Sequence, residues 1–170
     1  MTKMALANLN AADEAGFMAA LGDVYEHAPW VAQAALKQRP FGTLAALHAA
    51  MMDVVRAAPP EQRLALIKGH HDLAGKAARA GTMTLESKAE QASAGLDHLS
   101  ADELARFTAL NAAYRARFGF PFIMAVKGKS KADILAAFQR RLANDAEPET
   151  RTALDEIDRI AALRLKDILP

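Results

Sequence analysis

With 170 residues, a formal net charge of +1 and no cysteine, the chain has the size of one domain. These features exclude a disulfide scaffold, a thiol nucleophile and the basic stripe of a nucleic-acid binder. Hydrophobic residues make up 52% and charged residues 24%, enough to bury a core without staples. No apolar run approaches the roughly 18 residues of a membrane span, and the start MTKMALANLN lacks the apolar region of a signal peptide. The expectation is a cytoplasmic protein with no nucleic-acid or membrane partner.

The abundance of alanine favours helix, because Ala loses no side-chain entropy there. Asn10 reads as the N-cap of a first helix ending near Gly22. A second segment runs from Asp23 to Gln38, and Pro29 breaks or restarts it. Thr43 caps a third helix, in which Leu44, Leu47, Met51, Val54 and Val55 follow a helical period. Pro59 and Pro60 stop it, and Pro60 can open the next helix, to about Gly69.

His70 to Gly81 reads as a loop with a short helical piece, hinged at Gly75 and Gly81. Thr84 caps a helix to about Ala94. Ser100 and Glu103 form a capping box for a long helix that ends at Gly119, with a core stripe of Leu104, Phe107, Leu110 or Asn111, Tyr114 and Phe118. The run Phe120 to Val126 is strand-like but has no partner run, so it is expected to be an extended, buried crossing segment. Ser130 with Asp133 caps another helix, and the last runs from about Pro148 to Ile168. The predicted architecture is all-α: one domain over residues 1–170, a bundle of about eight helices with one extended segment.

Four places can carry chemistry. Ser87, Glu90 and Gln91 sit at i, i+3 and i+4, so a helix puts them on one face. A hydroxyl, a carboxylate and an amide together suit a small polar ligand, and they equally suit a solvated helix face. His70 and His71 follow a helix end, where an imidazole can serve as general acid or base or as a surface or capping side chain. None of the five histidines has zinc-motif spacing and the HExxH pattern is missing, so no metal is expected. Arg164 falls on the apolar face of the last helix with Ile157, Ala161 and Ile168. A guanidinium cannot shed its charge, so it must snorkel to water or meet an anion, with Glu90 a candidate partner. The run from Gly119 to Val126 offers backbone N–H and C=O groups outside any ladder, for a ligand or for plain core packing.

These places fall within segments that together resemble the 2-oxo-4-hydroxy-4-carboxy-5-ureidoimidazoline (OHCU) decarboxylase family. Glu26 to Ala32 is similar to its E-x-S-P-W-V-A segment, and His70 to Lys76 to its H-P-D-L-A-G-K. Ser87 to Leu96 is similar to S-x-x-E-Q-x-x-A-G-L, Leu110 to Ile123 to L-N-x-x-Y-x-x-R-F-G-F-P-F-I, and Leu163 to Leu165 to the closing L-R-L. They occur in the family's order along nearly the whole chain.

The resemblance implies an all-α fold, a homodimer, a small-molecule substrate and no metal or organic cofactor. The implied reaction is decarboxylation of OHCU to (S)-allantoin in urate breakdown. His70 matches the catalytic proton donor, and Glu90 is close to the chemistry. Ser87, Glu90 and Gln91 match substrate-binding positions. Phe122, Ile123, Met124, Ala125 and Val126 match a backbone strip that contacts substrate, and Arg164 an arginine facing the pocket. His71 occupies the position of a family proline that lines the pocket, which restores an N–H and adds a second titrating ring. Ala28 replaces the family's Ser before Pro29.

Overall fold

Every regular element among the described residues 3–75 and 83–170 of the computed structural model is a helix, as the alanine content and cap signals predict. The chain divides into two compact units, Met1–Leu66 with Asp158–Pro170 and Ile67–Ile157.

The first unit holds α1 (Leu6–Ala11), α2 (Glu14–Leu21), α3 (Pro29–Ala35), a 3-10 turn (Leu36–Gln38), α4 (Leu44–Ala57) and most of α5 (Pro60–Lys68). The end of the last helix completes it. Leu9, Phe17, Leu21, Val31, Leu47, Met51 and Val55 are fully buried there. Pro29 occupies the first turn of α3, where its missing N–H costs nothing, and Thr43 caps α4 by accepting the Ala46 N–H.

The single first helix expected from Asn10 to Gly22 is two helices. Asp13 is the cap of the second, accepting from the Gly16 N–H at 2.8 Å. Asn10 lies inside α1, where its amide donates to Phe41 O and accepts from Phe41 N–H, both at 2.8 Å. A side chain that satisfies both backbone groups of a residue 31 positions away contributes a long-range tie rather than a local cap.

The second unit contains α6 (Leu85–Ser93), α7 (Ala101–Phe118), α8 (Lys131–Leu142) and the beginning of α9 (Ala146–Ile168). Asn111 rather than Leu110 takes the buried position in the α7 stripe, between Phe107 and Tyr114. Gly119 ends α7 at a left-handed φ of 77°, which glycine adopts without the Cβ penalty. The unit's core is aromatic: Phe122 stacks on Phe138 at 3.8 Å and meets the Tyr114 ring edge-on at 5.3 Å. Phe120 to Val126 forms neither helix nor ladder, in line with the expected non-regular segment. The expected short helical piece before Gly81 lies outside the described residues from position 76 onward.

Both predicted capping boxes are complete: Ser100 with Glu103, and Ser130 with Asp133. The Ser100 N–H, and after it Lys131, holds the Glu103 carboxyl below its ordinary value of 4.5. A carboxylate whose pKa is lowered on folding adds stability above its unfolded pKa, and that stability is lost as pH falls through the folded value. Ser100→Ala is expected to cost about 1 kcal/mol in urea unfolding. Glu103→Gln is expected to flatten the loss of urea midpoint as pH is lowered from near neutral to below 4.5, the ordinary value of that carboxyl. Equal acid sensitivity in variant and parent would show that the box carries no charge component.

Candidate active site

His70 stands two residues beyond α5, its N–H donating to Ile67 O at 3.2 Å, and its side chain is buried. The chain then turns through Asp72, Leu73 and Ala74. Ala74 sits at φ 55°, a conformation L-residues with a Cβ rarely adopt. At Gly75 an added Cβ would stand 2.7 Å from the Asp72 Cβ, so the turn closes only on glycine.

Side chains from two helices hold this turn. From α6, Gln91 accepts the Ala74 N–H at 2.9 Å and donates to Asp72 O at 3.4 Å and Met83 Sδ at 3.2 Å. From α7, Asn111 donates to Leu73 O at 2.8 Å, and Arg115 Nε meets both Asp72 carboxylate oxygens at 2.9 and 3.1 Å. The irregular backbone beside the imidazole is thus held by partners that are themselves anchored on helices.

The polar trio is not a solvated face. Ser87 and Gln91 are buried and Glu90 is half-buried. Thr84 caps α6 by accepting the Ser87 N–H at 3.2 Å, which sets the start of the helix that carries all three. Gln91 has its amide committed to the His70 turn, an assignment that spacing alone does not supply. A cavity of about 270 Å³ in this unit is lined by Ala74, Met83, Lys88, Gln91, Leu96 and Leu104 among others, and His70, Ser87 and Glu90 do not contribute to its wall.

Phe122, Ile123 and Val126 are buried, whereas Met124 and Ala125 are half-buried. Two side chains that sequence reasoning missed grip this strip. Arg141 of α8 donates to Ile123 O at 2.5 Å, and Glu156 of α9 accepts the Ala125 N–H at 3.0 Å. Arg141 is paired at 2.6 Å with Glu149, which is fully buried and also accepts from the Tyr114 hydroxyl and from Asn144 Nδ2. Burial, and next the Glu149 carboxylate, pushes the Tyr114 phenol far above its usual range, so it remains a donor. The signal for Arg141 was legible: Ile134, Phe138 and Arg141 are at i, i+4 and i+7, the pattern that marked Arg164.

His70, His71, Ser87, Glu90, Gln91 and Phe122 to Val126 all belong to the second unit, and Arg164 belongs to the first. Arg164 is 5% exposed and, as its charge requires, meets a buried carboxylate. One such carboxylate is Glu26, at 3.5 Å. The guanidinium also donates to Asp23 O and Val24 O, tying down the turn before α3. Glu26 lies four residues before Trp30 in the Glu26 to Ala32 segment, and nothing in its spacing signals burial.

Residues 10–166 match the family model described as OHCU decarboxylase. The chain is similar to a 2-oxo-4-hydroxy-4-carboxy-5-ureidoimidazoline decarboxylase of Haloferax volcanii, 44% identical over 167 residues that cover 98% of this chain and 97% of that one. A protein of the same description from Halalkalicoccus jeotgali is 43% identical over 168 residues, 99% of this chain and 93% of the relative. A crystal structure of (S)-allantoin synthase superposes with a TM-score of 0.79 at 32% identity, over 98% of this chain and 54% of its own.

Removing one member of the buried Arg164–Glu26 pair takes a counter-charge from the other. Glu26→Leu is expected to cost about 3–5 kcal/mol in urea unfolding, and the Glu26→Leu, Arg164→Leu double variant to recover much of it. A double variant no more stable than the single one would show that the two charges are not coupled.

Proposed function

The chain belongs to the OHCU decarboxylase family, and from that premise we propose that it converts OHCU to (S)-allantoin with His70 moving the proton. The observation that carries the reading is the buried His70 on a turn held by Gln91, Asn111 and Arg115. A general acid or base works only when its ring is placed within hydrogen-bond reach of the reacting group, and a turn clamped at three consecutive residues supplies that placement.

The substrate carries a carboxylate and a hydroxyl on one ring carbon, beside a C=N bond. When CO2 leaves, the electron pair of the broken C–C bond moves into the adjacent imine, whose nitrogen takes a proton. The substrate is its own electron sink, the part a cofactor plays elsewhere. The hydroxyl then loses its proton to become the ring carbonyl, and the neighbouring carbon gains one on a single face, giving one enantiomer. His70 is assigned this proton traffic. Glu90, three residues along α6 from Ser87, is assigned the orientation of His70 or of the ureido group.

Ser87 and the half-buried stretch of the Phe122–Val126 strip are assigned hydrogen bonds to the ureido and ring carbonyl groups. Gln91 belongs to the same proposal through the His70 turn, where its amide is engaged. Arg164 enters as the cation that balances buried Glu26. A homodimer belongs to the reading on the family resemblance, and a cytoplasmic location on the cysteine-free composition.

The test couples urate oxidase and hydroxyisourate hydrolase to form OHCU in situ and follows chiral allantoin by circular dichroism. The protein is expected to accelerate (S)-allantoin formation, with the rate unchanged by chelator. His70→Ala is expected to lower turnover by at least about 100-fold at unchanged thermal stability. Near-normal turnover by a folded His70→Ala variant would remove the imidazole from the mechanism.

A second reading rests on His71, half-buried beside His70 where the family has proline. It is a decarboxylase or hydrolase of a related ureido-imidazole. His71→Pro is expected to preserve OHCU turnover, whereas a folded but inactive His71→Pro variant would show that this chain uses the second ring; a panel of related ureido-imidazole substrates separates the two readings.

A further inference from the structure

The Phe122–Val126 strip lacks any regular hydrogen-bond ladder, yet its backbone is not left to find its own position. At its first half, the Phe122 ring is sandwiched between Phe138, stacked at 3.8 Å, and the Arg141 guanidinium, 4.3 Å from the ring centroid. The same guanidinium donates to Ile123 O at 2.5 Å. Glu149 holds the guanidinium through Nε at 2.6 Å and is itself held by Tyr114 and Asn144. At the other end, Glu156 accepts the Ala125 N–H at 3.0 Å, and Val126 O accepts the Lys129 N–H at 2.9 Å.

A buried ion pair costs desolvation and is weak support for stability by itself. Here its cation is spent on one carbonyl of an irregular strip, and the planar fork allows Nε and Nη1 to serve two partners at fixed geometry. Between the two grips stand Met124 and Ala125, the half-buried residues of a run whose others, from Phe120 to Val126, are buried. The Met124 N–H and C=O and the Ala125 C=O meet no protein partner among the described residues.

We propose that Arg141, backed by Glu149, and Glu156 are positioning residues that present the Met124 peptide groups and the Ala125 carbonyl as the recognition window for the amide and ureido groups of the substrate. The proposal rests on the decarboxylase reading above and adds to it which backbone groups read the substrate and which side chains aim them. The Met124 N–H, followed along the chain by the Met124 and Ala125 C=O groups, offers one donor and two acceptors to a planar ligand that carries both N–H donors and C=O acceptors. None of the three side chains is assigned contact with the reacting atoms, so their loss acts on binding more than on the chemical step.

Three full-length variants test this: Glu156→Met, Glu156→Gln and Arg141→Lys. They are read by steady-state kinetics on OHCU made in situ, by calorimetric titration with (S)-allantoin, and by amide hydrogen exchange of the peptide spanning residues 120–128. Glu156→Met is expected to raise KM about tenfold while kcat stays within about threefold, and to weaken (S)-allantoin binding by a similar factor. Exchange in the 120–128 peptide is expected to quicken about tenfold. Glu156→Gln keeps an oxygen acceptor and is expected to bring KM, binding and exchange back to within about threefold of the parent. Arg141→Lys cannot reach Glu149 and Ile123 O with one planar group, so it is expected to follow Glu156→Met.

Folded Glu156→Met protein with unchanged KM, binding and exchange would overturn the proposal. So would a loss confined to kcat, or failure of Glu156→Gln to recover. If Arg141→Lys does not fold, the two Glu156 variants decide alone. A parent protein that neither turns over OHCU nor binds (S)-allantoin counts against the decarboxylase reading and removes the window with it; the exchange arm then reports only whether the side chains hold the strip.

Discussion

Backbone outside regular structure must still find hydrogen-bond partners when it is buried, and in this protein helices supply them through their side chains. The demand is sharpest at two stretches of the second unit, the turn after His70 and the strip from Phe122 to Val126. Each is too irregular to satisfy itself. Gln91, Asn111 and Arg115 serve the first; Arg141 and Glu156 serve the second. Functional groups placed on loops but held from helices combine exposure to a ligand with the rigidity of the scaffold, which is the arrangement a preorganised site requires.

Buried charge follows the same logic. Arg164 and Arg141 both sit on the apolar faces of their helices, and each meets one buried carboxylate and at least one main-chain carbonyl. In the first unit Asp158 collects the Tyr25 hydroxyl at 2.9 Å and Arg56 at 2.6 Å, and burial with that carboxylate keeps the Tyr25 phenol protonated. An arginine cannot escape burial by losing its proton, so its surroundings must be built around it. Each of these clusters therefore ties a helix to irregular backbone or to another helix at one defined register.

The proposed chemistry asks little of the protein beyond placement. A substrate that accepts its own electron pair needs no resident group for that purpose, and the remaining tasks are to hold a planar ligand and to move protons on one face. His70 is suited to the second task because an imidazole can both give and take a proton, and because of the clamped turn beneath it. The aromatic stack of Phe122, Phe138 and Tyr114 gives the strip a stiff floor.

Composition, period and cap residues determined by themselves that the chain is helical, where α4, α6, α7 and α8 begin, and that residues 120–126 form no helix. Those signals are local: a cap and its helix lie within four residues of each other. The motifs likewise marked His70, Ser87, Glu90, Gln91 and the 122–126 strip as one family's segments, and the apolar face of α9 told that Arg164 must either reach water or meet an anion. Only the tertiary structure decided that Asn10 ties Phe41 rather than capping a helix, that Glu26 meets Arg164, and that Gln91 and Arg141 spend their polar groups on backbone. The physical reason is range. A side chain's partner 18, 31 or 138 residues away leaves no periodic trace in the chain, because it is chosen by packing after the helices have formed.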